Sequence, residues 1–161
     1  MPPNKRSPWR LPLVCALIII TLGGLGGVIF AEGSLEWYQS MKRPPGTPPP
    51  WVFGPVWIVL YAMIGISLGL LLKNRQQPAT RFVLAVFCCQ LVLNFAWTPL
   101  FFGAHQTGLA LIDIVAMCLS IFWTIFLAKK ISPTAAYLLI PYLIWVSCAT
   151  YLNAGFWWLN R

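Results

Sequence analysis

The chain has 161 residues, of which 59% are hydrophobic and 9% charged, with a mean hydropathy of +0.75. A soluble domain carries about 25% charged residues, so too few charges are present to coat a water-facing surface, and most of this chain is built for lipid. The net charge of +8 comes with eleven Lys and Arg in short clusters between apolar runs, which is how membrane helices are flanked and excludes a phosphate-tracking, nucleic-acid-binding patch.

A membrane helix needs about 20 mostly apolar residues. Five stretches qualify: 11–31, 51–72, 82–102, 106–128 and 134–159. The predicted fold class is therefore an all-α membrane protein, a five-transmembrane-helix bundle in one domain over 1–161, with a Pro-rich loop at 32–50. The first apolar run is longer than the core of a cleaved signal peptide. No repeat points to an inverted-repeat transporter, and no period-two alternation points to a β-barrel. Cys15, Cys88, Cys89, Cys118 and Cys148 all sit inside apolar runs, where cysteine acts as a small hydrophobe. Without CxxC spacing or a Cys/His cluster, neither a disulfide framework nor a metal site is expected.

The cations orient the bundle. Lys5, Arg6, Arg10, Lys73, Arg75, Arg81, Lys129 and Lys130 fall on one side, and Lys42, Arg43 and Arg161 on the other. The positive-inside rule then places the N-terminus in the cytoplasm, with the Pro-rich loop and the C-terminus outside.

In the first span, Gly23 and Gly27 have GxxxG spacing, which permits close helix contact within the bundle or between protomers. Glu32 and Glu36 cap its far end, and Trp37 and Tyr38 can pack under the loop that follows. From Pro44 to Pro50, prolines that lock φ and donate no hydrogen bond predict extended or turned chain. This stiff loop feeds a second span whose first turns carry Trp51, Phe53, Trp57 and Tyr61. Trp51 and Trp57 fit either an interfacial aromatic belt or the wall of a ligand pocket.

In the third span, Gln90, Asn94, Trp97 and Phe101 form one helical stripe. Amides are costly in lipid unless hydrogen-bonded, so this face turns toward other helices or a cavity. Pro99 should bend the end of that span. Asp113, about 10 Å into the fourth helix, is the one carboxylate inside a span. It is a functional candidate, or else a structural group satisfied at an interface or by the lone His105. In the fifth span Tyr142, Trp145, Ala149 and Leu152 form a second stripe behind Pro141, with the relief of a pocket wall or of close helix packing.

No catalytic constellation emerges: there is one histidine, no Ser/His/Asp set and no phosphate-cradling glycine loop. The residues alone thus lead to an aromatic-lined pocket under a proline-rich loop, suited to a flat, mostly apolar ligand.

Four ordered segments carry a resemblance: W-Y-Q-S-M-K-R-P at 37–44, P-P-P-W-V-F-G-P-V-W-I-V-L-Y at 48–61, L-N-F-A-W-T-P-L-F-F-G at 93–103 and L-L-I-P-Y-L-I-W-V-S-C-A-T-Y-L-N at 138–153. The chain resembles, over nearly its whole length, the translocator protein (TspO/MBR) family of bacterial tryptophan-rich sensory proteins and mitochondrial peripheral benzodiazepine receptors. The resemblance implies a five-helix bundle, commonly a homodimer, that binds porphyrins and isoquinoline- or benzodiazepine-type ligands in a cavity beneath the first loop. It implies that Tyr38, Gly54, Trp57, Asn94, Trp145, Ala149 and Leu152 line that cavity, and that Trp57 and Trp145 are the tryptophans that act on bound protoporphyrin in light. No cofactor is implied, porphyrin or haem being the ligand, and a bacterial inner membrane is the implied location. Where mitochondrial members carry a C-terminal cholesterol motif this chain has Ala154 and Gly155, which counts against high-affinity cholesterol recognition. Leu109 stands where those members have a tryptophan.

Three functions remain open. The leading one is a tetrapyrrole-binding sensor or translocator, with Lys42 and Arg43 on the loop meeting the propionates. The second is a light-dependent porphyrin-degrading enzyme using the same rings, and the third is a membrane scaffold or regulatory partner.

Overall fold

The computed structural model describes residues 9–31 and 34–161, which excludes Lys5, Arg6 and Glu32. Among the described residues, seven α-helices follow in order: α1 (Arg10–Ala31), α2 (Leu35–Ser40), α3 (Pro50–Lys73), α4 (Pro78–Thr98), α5 (Thr107–Ala128), α6 (Pro133–Leu138) and α7 (Ile140–Leu159). Five segments are long and apolar enough to cross a membrane: α1, α3, α4 with its extension to Gly103, α5, and α6 joined to α7. The all-α, five-span architecture is as composition predicts.

Prolines set most of the boundaries. Pro50 and Pro78 occupy the first turns of α3 and α4, where a missing N–H costs nothing because those donors have no helical partner. The third span therefore starts four residues before the apolar run at 82. Pro99 has no N–H to continue the ladder, and the chain widens into a π-helical turn over Pro99–Gly103, closed by the Ala104 N–H donating to the Pro99 carbonyl at 2.8 Å. Pro141 likewise breaks the fifth span at Leu139, between α6 and α7.

The segment expected to be loop from 32 to 50 contains α2, because residues 35–40 hold no proline and can close a helical turn. The proline run then forms a tight turn with Pro45 and Gly46 at its centre and the Thr47 N–H donating to the Pro44 carbonyl at 3.4 Å. Gly46 has φ +80°, the left-handed geometry that the third position of a type II turn requires.

The spans form a ring in the order α1, α3, α6–α7, α5, α4 and back to α1. Glycines fix its tightest junction. A Cβ at Gly65 or Gly69 would overlap the backbone of Ala16 or Pro12, so α1 and α3 touch backbone to backbone there. At that end Ser67 Oγ also donates to the Ala135 carbonyl at 2.8 Å. Higher up the contact is lost, since a Cβ at Gly24, Gly26, Gly27 or Gly54 would meet nothing within 4 Å. The helices part, and the ring opens toward the end that carries α2. Ile64, Phe87, Ile121 and Leu139 are fully buried below this opening, while the outer faces of α1 and α5 are apolar and exposed, as lipid contact requires.

Candidate functional site

The opening encloses a cavity of about 630 Å³. Tyr38, Gly54, Trp57, Asn94, Trp145, Ala149 and Leu152, drawn from α2, α3, α4 and α7, all line it. Helical spacing brings Trp145, Ala149 and Leu152 to one face of α7, and Asn94, Trp97 and Phe101 to one face of the third span. Trp51, by contrast, lies outside the cavity and is 75% exposed at the start of α3, the position of an interfacial belt.

The floor is a hydrogen-bonded polar cluster. Tyr61 donates its hydroxyl to Asn94 Oδ1 at 3.2 Å, and Asn94 Nδ2 donates to the Tyr142 hydroxyl at 2.9 Å. Tyr142 donates its hydroxyl to Met117 Sδ at 3.3 Å. Asn94 of α4 is thus held by α3 and α7, which satisfies an amide that lipid would penalise. Trp57 stacks on Tyr61 with ring centroids 5.0 Å apart. On the wall, Trp97 Nε1 donates to Asn153 Oδ1 at 2.9 Å, and Asn153 Nδ2 donates to the Thr107 carbonyl at 2.8 Å. Trp145 presents an edge to Phe53 at 5.8 Å.

The roof is Tyr38 and Leu35 of α2. Tyr38 packs on Phe102 and Phe156 at 5.7 and 5.4 Å, and the Arg43 guanidinium lies 5.4 Å from its ring centre. Burial pushes the Tyr38 phenol above its ordinary pKa, with Arg43 pulling in the opposite direction.

The structure places the other candidate residues away from the cavity wall. Gln90 is fully buried below the floor, outside the cavity, and its amide has no hydrogen-bond partner among the described residues. Tyr142 belongs to the floor's support and does not line the space. Lys42 and Arg43 are exposed and do not line it either. His105 does not reach Asp113: at φ 56° its ring turns outward and stacks on Trp37 at 4.1 Å, leaving Asp113 Oδ2 buried and unpartnered among the described residues.

The sequence reading missed the α1 wall of Ile20, Gly23, Gly24, Gly27 and Val28. The GxxxG spacing was the signal for it. Gly23 does make a close contact, its Cβ position lying on the Tyr61 ring, but Gly27 faces empty space. No charged side chain of the described residues lines the cavity, so these residues provide stacking surface and a few oriented polar groups. Nor do the described residues contain a cluster of His, Cys, Asp and Glu able to hold a metal ion.

The TspO/MBR family model matches residues 14–159. The chain is 38% identical to the human translocator protein over 153 residues, covering 93% of this chain and 90% of that one. It is 36% identical to the bovine translocator protein over 162 residues, covering 96% and 92%. A tryptophan-rich protein TspO from Archaeoglobus fulgidus matches at 38% over 151 residues, covering 93% and 97%. With its five spans, its ring-lined cavity and these relatives, the chain belongs to the TspO/MBR family.

Proposed function

We propose that this membrane protein is a sensor or translocator that binds a tetrapyrrole, a porphyrin or haem, in the cavity beneath α2. One observation carries the reading: residues from separate helices converge on a space of about 630 Å³ walled by indole, phenyl and phenol rings, with no charged side chain among the described lining residues. That volume lies within the range of about 300–1,000 Å³ typical of small-molecule sites, and such walls favour a flat, apolar ring system. Asn94 supplies a polar anchor at the floor. Lys42 and Arg43, exposed beside the roof, are placed for propionates that extend out of the cavity. Isoquinoline- and benzodiazepine-type ligands suit the same surface. The family resemblance also supports a homodimer in a bacterial inner membrane.

A titration with protoporphyrin IX in the dark, followed by tryptophan quenching, tests the reading. Saturable quenching at one site per chain, weakened by Trp57→Phe with Trp145→Phe, is the expected result. Linear, unsaturable quenching that ignores both substitutions means that porphyrin only partitions into the micelle. A second reading, light-dependent porphyrin degradation, is favoured by Trp57 and Trp145 both facing the cavity. Illuminating the same samples tests it: a product must accumulate over several turnovers per chain, and must fail to do so in the double variant.

A further inference from the structure

Beside the main cavity lies a second hollow of about 260 Å³, between α1 and α4. Leu22 and Gly26 wall it on α1 and Phe95 on α4, while Gly23, Tyr61 and Thr98 border both spaces. Tyr61 is the partition. Its ring centre lies 5.0 Å from that of Trp57, which lines the cavity, and 6.5 Å from that of Phe95, which lines the hollow. Glycine keeps the hollow open: a Cβ at Gly26 would meet nothing within 4 Å, so α1 and α4 do not close on each other at this level. Leu22 is 49% exposed, which sets the mouth on the outer surface of the bundle. Gly26 stands about 8 Å short of the Ala31 end of α1, below the headgroups, and the phase outside the mouth is hydrocarbon.

We propose that this crevice binds one acyl chain of a bilayer lipid, and that the chain braces Tyr61 from behind the cavity floor. Size and surroundings choose the occupant. The hollow is smaller than the roughly 300–1,000 Å³ of sites for drug-sized molecules, so it suits a slender chain and not a broad ring system. No charged side chain lies among its described lining residues, so a headgroup stays outside and the tail alone enters. An apolar hollow left empty forfeits dispersion contacts on every wall, and the bilayer holds flexible chains at its mouth. Once seated, a chain packs against the Tyr61 ring, whose hydroxyl donates to Asn94 Oδ1 at 3.2 Å. Filling the crevice therefore steadies the hydrogen-bonded floor. The inference does not depend on the tetrapyrrole reading.

The test uses the full chain, free of porphyrin, in phosphatidylcholine nanodiscs doped with a phosphatidylcholine that carries a diazirine on one acyl chain. After illumination, mass spectrometry maps the labelled residues. Label should concentrate at 22–26 and 95–98, above the level on the lipid-exposed outer face of α5 in the same sample. Gly26→Leu fills the hollow and should lose that excess while the α5 labelling stays. Gly26→Ala, the milder change, should fall between. Even labelling of all outer faces overturns the site, and so does an excess that survives Gly26→Leu, since the chain then lies outside the crevice. Absence of label at the seam, with a dimer in detergent that Gly26→Leu breaks, also overturns it, the occupant then being a second copy of this chain. The brace is read by melting temperature: adding phosphatidylcholine to delipidated protein should raise it more in the wild type than in Gly26→Leu. Equal rises in the two proteins overturn the brace.

Discussion

The ring of Tyr61 occupies the space in which a side chain at position 23 would begin: a Cβ built on Gly23 falls on the Tyr61 ring carbons. From that seat Tyr61 reaches Asn94 Oδ1 at 3.2 Å, so a glycine of α1 sets the position of a hydroxyl that organises the cavity floor. Gly23→Ala should push the ring aside, strain the Tyr61–Asn94 bond and cost about 1–3 kcal/mol, the usual range for overpacking. Thermal denaturation in detergent measures it. Adding Tyr61→Leu should recover part of the loss, because the two side chains contend for one space and their effects cannot add.

The glycines of the α1–α3 pair divide into two kinds, and substitution separates them. Gly65→Ala drives a methyl group into the Ala16 backbone, where neither partner can yield, and should destabilise by about 1–3 kcal/mol. Gly24→Ala meets nothing within 4 Å, and relief of glycine's poor helix propensity allows a gain of up to about 1 kcal/mol. Melting temperatures of the two variants should move in opposite directions. Equal losses would mean that the helices stay in contact along their full length.

Asn94 joins three helices through one amide, and its loss should be felt by its partners. Asn94→Ala leaves the Tyr61 hydroxyl without its acceptor and Tyr142 without its donor, at a cost of about 1–3 kcal/mol for buried groups left unmade. Tyr61→Phe removes one arm only and should cost about 1 kcal/mol or less. A larger effect for Tyr61→Phe than for Asn94→Ala would place the centre of the network elsewhere.

These floor and wall residues also show what spacing alone could reveal. Asn94, Trp97 and Phe101 share a helical face, as do Trp145, Ala149 and Leu152, and the period of the helix was enough to group them. The five spans were equally legible, since lipid demands length and apolarity together. The Gly65–Ala16 contact was hidden because both residues are ordinary in a membrane helix and their pairing depends on how two helices cross. The hydrogen bond from the Lys42 N–H to Asn160 Oδ1 spans 118 positions, and no local pattern records such a distance. α2 was hidden by the prolines that follow it, which marked the whole segment as irregular. At Gln90 the stripe was read correctly, but the cavity ends one turn above it.

Burial raises the Tyr38 phenol above its ordinary range near 10. The folded state thus favours the neutral ring, and that contribution is intact below about pH 10. It is lost as pH rises toward the raised pKa of the folded state, because the unfolded chain ionises first. Stability should therefore fall on the alkaline side, and Tyr38→Phe should flatten the fall. Melting temperatures taken across that range for both proteins check the sign.

The central claim is that the cavity bounded by Gly54 and Ala149 holds the flat ligand, and filling it is the most direct test. Gly54→Leu with Ala149→Leu places two large side chains in the open space without touching the polar floor; a Cβ at Gly54 meets nothing within 4 Å. The measurement is the dissociation constant for protoporphyrin IX in the dark, beside a melting curve for the same sample. The account predicts that saturable binding disappears while the melting temperature holds or rises. Binding of unchanged affinity in the filled protein would contradict it and place the ligand outside this cavity.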